Sequence, residues 1–256
     1  MSFAQGKRLG LVLGGGGARG LAHLGVLQVL EEAGVRIDAV TGASVGAFVG
    51  AAVAAGLPIA TLSEVARSVR WWHLARPCWP RRGLVSFAPL EAYLKRLLGD
   101  INIEDLSLPF ACVATDAFTG AGVVFRSGQL APRVRASCSV PGAVKPILID
   151  GVVYVDGGMV DNLPIDIMHS IADVDVILAV NLFGPPTFLP QGIVGFTLTV
   201  AGHTLVQAGC NPHSADILVE PDCTGFSLTG FRYEELVGRG RAAMTAQLQV
   251  LLQVLQ

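Results

Sequence analysis

Leu9-Gly10-Leu11-Val12-Leu13-Gly14-Gly15-Gly16-Gly17-Ala18-Arg19-Gly20 decides how this chain is read. An apolar run of five residues that ends in glycines is the pattern of a short strand buried in a parallel sheet. Leu21, Leu24, Leu27 and Leu30 then recur at helical spacing, and Gly34 supplies the stop. Residues 35–40 read as a second strand, so the segment makes a βαβ-sized step. Residues 41–46 read as the turn out of it and contain Gly42-Ala43-Ser44-Val45-Gly46. Residues 47–55 are small and apolar all round, as expected of a helix packed close against a sheet, and Gly56 and Pro58 end it.

Further strands are expected at residues 110–115, 123–125, 174–180 and 217–219. A hairpin is expected at Asp150-Gly151, between Ile147-Leu148-Ile149 and Val152-Val153-Tyr154-Val155. Leu90, Tyr93, Leu94, Leu97 and Leu98 mark an amphipathic helix stopped at Gly99, and another begins near Glu234. At 256 residues the chain suits one large core, so residues 1–256 read as a single domain. The expected fold is a three-layer α/β/α arrangement with a central, mostly parallel sheet. Residues 39–63 carry no charge, but Gly42, Gly46, Gly50, Gly56 and Pro58 interrupt them. A helix buried in a core is therefore expected there, not a membrane span.

A net charge of −2 gives no global basic field, and there is no nucleic-acid-binding motif, so no nucleic-acid partner is expected. The five cysteines are scattered without a C-x-x-C pair. They read as free thiols of a reducing, cytoplasmic compartment, not as a disulfide framework or a zinc site.

The chemistry concentrates in three places. G-x-S-x-G between strand and helix puts Ser44 on a sharp turn, with flanking Gly42 and Gly46 and the N–H of Val45 at a helix start. The second place is the glycine loop. Gly15, Gly16 and Gly17 offer backbone N–H groups at a helix N-terminus, where a developing oxyanion is stabilised by about 3 kcal/mol per donor. The same loop, through Gly20, also fits the dinucleotide fingerprint G-x-G-x-x-G, with Asp38 as the acid after it, so a nucleotide-dependent enzyme is the rival reading. Arg19 either orients the loop, meets a substrate phosphate or forms a surface ion pair. The third place is Asp156-Gly157-Gly158, a carboxylate at the end of an apolar run. His169, His203 and His213 follow it, yet none sits in a catalytic motif. A Ser44–Asp156 dyad becomes plausible, provided burial weakens the ionised carboxylate enough to make it a base.

With these motifs in this order, the chain resembles the patatin-like phospholipase family, close to its small single-domain bacterial members. Ala114-Thr115-Asp116, Arg135-Ala136-Ser137, Asp161-Asn162-Leu163-Pro164 and Ala215-Asp216 add to the likeness. The resemblance implies Ser44 as nucleophile, Asp156 as general base, and Gly15, Gly16, Gly17 and Val45 around the oxyanion, with hydrolysis of lipid acyl esters and no metal or cofactor. Val45 departs from the alanine usual after the serine. The remaining alternative is a lipid-binding or regulatory protein with an idle site.

A lipid substrate implies peripheral membrane contact, and two segments are candidates. Trp71, Trp72 and Trp79 stand among Arg67, Arg70, Arg76, Arg81 and Arg82, a combination suited to an anionic headgroup layer, or else a surface loop with its tryptophans tucked into the core. Residues 183–204 are apolar and rich in Gly and Pro, which suits a lid or a buried crossover.

Overall fold

The computed structural model describes residues 5–79, 81–183 and 211–256. Its elements are β1 (Leu9–Leu13), α1 (Leu21–Glu32), β2 (Ala39–Ala43), α2 (Val45–Ala54), α3 (Ile59–Ser68), α4 (Trp71–Leu74), β3 (Arg76–Pro77), β4 (Val85–Ser86), α5 (Ala88–Leu98), β5 (Phe110–Asp116), β6 (Gly122–Phe125), α6 (Leu130–Ser137), β7 (Ile147–Ile149), β8 (Val152–Asp156), β9 (Val176–Val180), β10 (Ile217–Val219) and α7 (Tyr233–Val254).

The sheet runs β10-β9-β1-β2-β5-β8-β7, with β6 added to β5. The pairs from β10 through to β5 are parallel, whereas β6 and β8 join β5 antiparallel and β7 joins β8 antiparallel. Alternation along β1 divides the core, as strand geometry requires. Leu9, Leu11 and Leu13 belong to one apolar cluster, together with the buried faces of α1, α2, α3, α5, α6 and α7. Val12 joins Ala39, Ile177 and Ala179 in a second cluster, packed with Leu163, Ile165, Met168 and Val174. The helices α1 and α7 cross with their backbones almost touching: a Cβ at Gly25 would lie 2.1 Å from Val237 O, and one at Gly240 1.9 Å from Ala22 O.

β2 starts at Ala39, not at residue 35, because the parallel register pairs Gly10 with Ala39: Asp38 already meets the first residue of β1, its N–H donating to Leu9 O at 2.8 Å, and residues 35–37 lie beyond that strand. It also runs on through Thr41, Gly42 and Ala43, which the sequence assigned to a turn. β9 likewise starts at Val176, opposite Leu9. The hairpin at Asp150-Gly151 is present, with both residues at positive φ (49° and 83°), the two-residue turn that matches strand twist. Residues 39–63 are divided among β2, α2 and the start of α3. Among the described residues no helix is long and apolar enough to cross a membrane.

Trp72 and Trp79 are exposed (72% and 80%), which corrects the reading that tucks them into the core. The side chain of Trp71 and the candidate lid beyond Phe183 (residues 184–204) lie outside the described residues.

The elbow tolerates nothing larger than glycine at 46, since a Cβ there would sit 1.9 Å from Leu13 O. Gly46→Ala is expected to cost roughly 3 kcal/mol or more in urea unfolding. Gly34→Ala, at φ +70° with open space around it, costs only about 1–2 kcal/mol. Equal midpoints for the two variants would contradict this packing.

Candidate active site

β5 explains how two residues so distant in sequence meet. Its residues 112 and 113 pair with both β2 and β6, and 114 and 115 with both β8 and β6, so β2 and β8 lie along one edge, running towards each other. Ala43 pairs with Val113, and Asp156 with the next residue, Ala114. The strand ends therefore meet head to head, and Ser44 and Asp156 face across the junction.

Ser44 Oγ donates a hydrogen bond to Asp156 Oδ2 at 2.7 Å. Ser44 itself carries the turn's strain, with φ 51° and ψ −125°, a conformation that costs a non-glycine residue about 1–3 kcal/mol. Gly42 and Gly46 are glycines for a different reason: a Cβ on Gly42 would lie 2.5 Å from the Gly46 carbonyl, and one on Gly46 would strike β1. Ser137 Oγ accepts the Ser44 N–H at 2.9 Å, and the Cys138 thiol donates to the Ser44 carbonyl at 3.2 Å.

Asp156 is held at every polar atom. Its N–H donates to Ser139 O (2.9 Å), its carbonyl accepts from Thr115 Oγ1 (2.8 Å), and Oδ1 accepts the Gly158 N–H (2.8 Å). A Cβ on Gly157 would lie 2.0 Å from Val113 O, so the chain leaves β8 pressed against β5. Burial pushes the Asp156 carboxyl up to about 6, against the opposing hydrogen bonds from Ser44 and Gly158. Among the described residues no histidine hydrogen-bonds either member of the pair.

The glycine loop lies beside Ser44: a Cβ on Gly15 would be 3.1 Å from Ser44 Cβ. Gly15 is not the free donor the sequence reading expects, because its N–H is already bonded to Asn162 O at 3.1 Å. Among the described residues, the N–H groups of Gly16, of Gly17 (φ +57°) and of Val45, the first residue of α2, have no acceptor. Val45 packs its side chain over Gly20, where a Cβ would lie 2.3 Å from a Val45 methyl. Arg19 donates Nε–H to Phe226 O at 3.0 Å, and its guanidinium stands 5.4 Å from the Phe183 ring centre. Burial lowers its pKa, and it makes no ion pair among the described residues.

His23 supports this loop from beneath. It is fully buried, and Nε2 donates to Gly14 O at 2.8 Å while Nδ1 has no partner among the described residues, with burial depressing its pKa to about 4. Ser137, Ser139, Thr115, Asn162 and His23 had no role assigned from sequence. Thr115, Ser137 and Asn162 stand in stretches that add to the family likeness, but such stretches carry no signal of which atom of a distant segment each side chain will meet.

Asp38, the acid of the rival reading, lies at the wrong end of the sheet. It precedes Ala39 at the strands' N-terminal edge, while the glycine loop follows Leu13 at the opposite edge. At about 3.3 Å per residue, the length of β1 separates them. Its carboxylate accepts the Leu9 N–H and pairs with Arg36.

Ser44 and Asp156 open into a cavity of about 1910 Å³, lined by Leu24, Phe48, Val49, Leu62, Leu74 and Leu90 among others. That exceeds the roughly 300–1,000 Å³ of a typical small-molecule site. The lining is mostly apolar, with Arg19, Ser44, Asp156 and Asn162 among its polar members.

A family model described as patatin-like phospholipase matches residues 11–169. The chain belongs to the patatin-like phospholipase family. An uncharacterised NTE-family protein of Mycobacterium bovis is 33% identical over 95% of this chain and 47% of its own length. The lysophospholipase NTE1 of Pyricularia oryzae is 38% identical over 73% of this chain and 13% of its own. Among solved structures, VipD from Legionella pneumophila shares the patatin-like fold with a TM-score of 0.57 at 16% identity, over 97% of this chain and 67% of that one. The chain spans 13% to 49% of the length of the first curated relatives it matches.

The raised Asp156 pKa has a thermodynamic signature. The group is protonated in both states below its unfolded pKa near 4. Folding must keep it neutral or bury a charge as pH rises through about 6, so the stability it contributes is lost across that window. Asp156→Asn is expected to be the more stable protein above pH 6, by up to about 3 kcal/mol, with the difference vanishing near pH 4. Asp161, also raised to about 6 by burial, titrates in both proteins and cancels. Parallel stability curves for wild type and variant would contradict the assignment.

Proposed function

We propose that this protein hydrolyses carboxylic esters of lipids, with (lyso)phospholipids as the substrate class, through a Ser44–Asp156 dyad. The 2.7 Å hydrogen bond between these side chains, in the wall of a large and mostly apolar cavity, carries the reading. Ser44 Oγ attacks the ester carbonyl carbon while its proton passes to Asp156 Oδ2. A carboxyl with a pKa near 6 is a better-matched base than an ordinary aspartate. Negative charge then develops on the carbonyl oxygen, where the N–H groups of Gly16, Gly17 and Val45 serve as donors, assisted by the N-terminal dipole of α2. The tetrahedral species collapses as Asp156 returns the proton to the departing alkoxide, leaving an acyl-Ser44 ester. Water, losing its proton to Asp156, attacks that ester; as the acyl–Oγ bond breaks, Asp156 passes the proton to Ser44 Oγ, freeing the fatty acid and restoring the serine.

The apolar lining takes the acyl chain, which gains about 0.8 kcal/mol per buried methylene. The naming of fungal relatives as lysophospholipases and of a Drosophila melanogaster relative as neuropathy target esterase supports the lipid ester class. In this reading Arg19, which lines the same cavity, meets the phosphate headgroup. Such substrates reside in membranes or micelles, so the reading includes work at a lipid surface.

A fluorophosphonate probe is expected to label wild type and not Ser44→Ala, and Ser44→Ala should lose at least about 10³-fold in nitrophenyl ester hydrolysis. For wild type, kcat/KM should fall about tenfold per pH unit below about 6 and level off above it. Labelling that survives Ser44→Ala overturns the dyad, and saturable NAD(P) binding would restore the nucleotide reading.

A further inference from the structure

The cavity's mouth is bordered by a surface unlike the rest of the molecule. α4 and the β3–β4 hairpin form one side, and the hairpin is tied to the turn at residues 140–145. The N–H groups of Leu84 and Val85 both donate to Ala143 O (2.9 and 3.0 Å), and the Lys145 N–H donates to Val85 O (2.7 Å). Trp72, Pro77, Val85, Val140 and Ala143 line the same cavity as Ser44. Trp72, Trp79, Leu84 and Val140 leave much of their apolar area in water, Leu84 at 63% and Val140 at 44% exposure. Clustered apolar exposure of this kind marks an interaction surface, and tryptophan in particular prefers the boundary between hydrocarbon and water.

Charge narrows what the partner is. Residues 67–87 contain five arginines and no acid, and Lys145 joins them on the adjoining turn. Only Arg67 pairs with a carboxylate, that of Glu234 at 3.4 Å, and Arg70 spends its guanidinium on the carbonyls of Arg67 and Val69. Arg76, Arg81, Arg82 and Lys145 are exposed and make no ion pair among the described residues. Without these six cations the net −2 becomes −8, so the rest of the chain carries the opposite sign. A surface that combines exposed indoles with unpaired guanidinium groups, on a molecule otherwise acidic, complements a sheet of negative headgroups over hydrocarbon.

We propose that α4, the β3–β4 hairpin and the turn at residues 140–145 form the face that docks on an anionic lipid surface. The cavity mouth then faces the bilayer. This inference rests on the lipid-hydrolase reading for its purpose, since docking in this orientation lets an acyl ester pass from the membrane to Ser44 without crossing water. The acidic remainder is held away from the negative surface, which fixes the orientation.

The test is flotation of the full chain with vesicles of phosphatidylcholine alone and of phosphatidylcholine with phosphatidylglycerol. Wild type is expected to float with the anionic vesicles and far less with the neutral ones. Each basic residue near such a surface strengthens binding about fivefold, so Arg81→Glu, Arg82→Glu and Lys145→Glu together should weaken anionic binding at least 100-fold. Trp79→Ser with Leu84→Ser, both outside the cavity lining, should weaken binding at least tenfold. Phe118→Ser, which changes an exposed aromatic outside this surface, should leave it unchanged. Thermal melts confirm that each variant is folded, and nitrophenyl ester hydrolysis in solution should stay within twofold of wild type. Wild type that fails to float, equal flotation with both vesicles, or patch variants that float like wild type overturn the docking face. Absence of ester hydrolysis in wild type with vesicle binding intact counts against the hydrolase reading alone.

Discussion

One edge of β5 is shared by two strands running towards each other, and the rest of the site depends on that arrangement. A single parallel neighbour would have continued past Ala43 and left no room for a turn. A single antiparallel neighbour would have carried Asp156 on along the sheet. Because β2 stops at Val113 and β8 stops at Ala114, both chains must leave the sheet at one point. The glycines at 42, 46 and 157 are consequences of that crowding, each lying where a Cβ would strike a main-chain atom. Ser44 takes up the strained conformation that remains.

Crowding brings burial, and burial sets the electrostatics. Every polar atom of Asp156 has a partner, yet desolvation still outweighs those hydrogen bonds and raises its pKa. The same low-dielectric setting keeps His23 neutral, so the imidazole holds the carbonyl of Gly14 and adds no charge beneath the glycine loop. The fold thus sustains a carboxyl that ionises reluctantly beside a hydroxyl that needs a base. It does so at the expense of stability near neutral pH, a trade commonly found where chemistry is done.

The outer surface continues the asymmetry. Apolar lining extends from Ser44 and Asp156 to the cavity mouth and emerges there as exposed tryptophan, leucine and valine, edged with cations that make no ion pair among the described residues. Elsewhere the arginines are mostly engaged with carboxylates, as in Arg241 with Glu32 and Arg239 with Asp222.

The segments that converge at the candidate site were legible in one dimension, because the glycine loop, the serine turn and Asp156-Gly157-Gly158 are local patterns whose residues are dictated by tight turns. β1, α1, the Asp150-Gly151 hairpin and α7 were readable for the same reason: periodicity and turn chemistry act over a few residues. The start of β2 was misjudged because a strand's length is set by its neighbour's register. The roles of Ser137, Thr115, Asn162 and His23 were invisible because each meets an atom of a distant segment. Gly15 illustrates the boundary best. Its place in the loop follows from local sequence, but whether its N–H is free depends on the Asn162 carbonyl, which only packing brings within reach. Local steric and hydrogen-bonding preferences are written in neighbouring residues. Which donor meets which acceptor across the fold follows from strand order and burial, and no stretch of this chain encodes that alone.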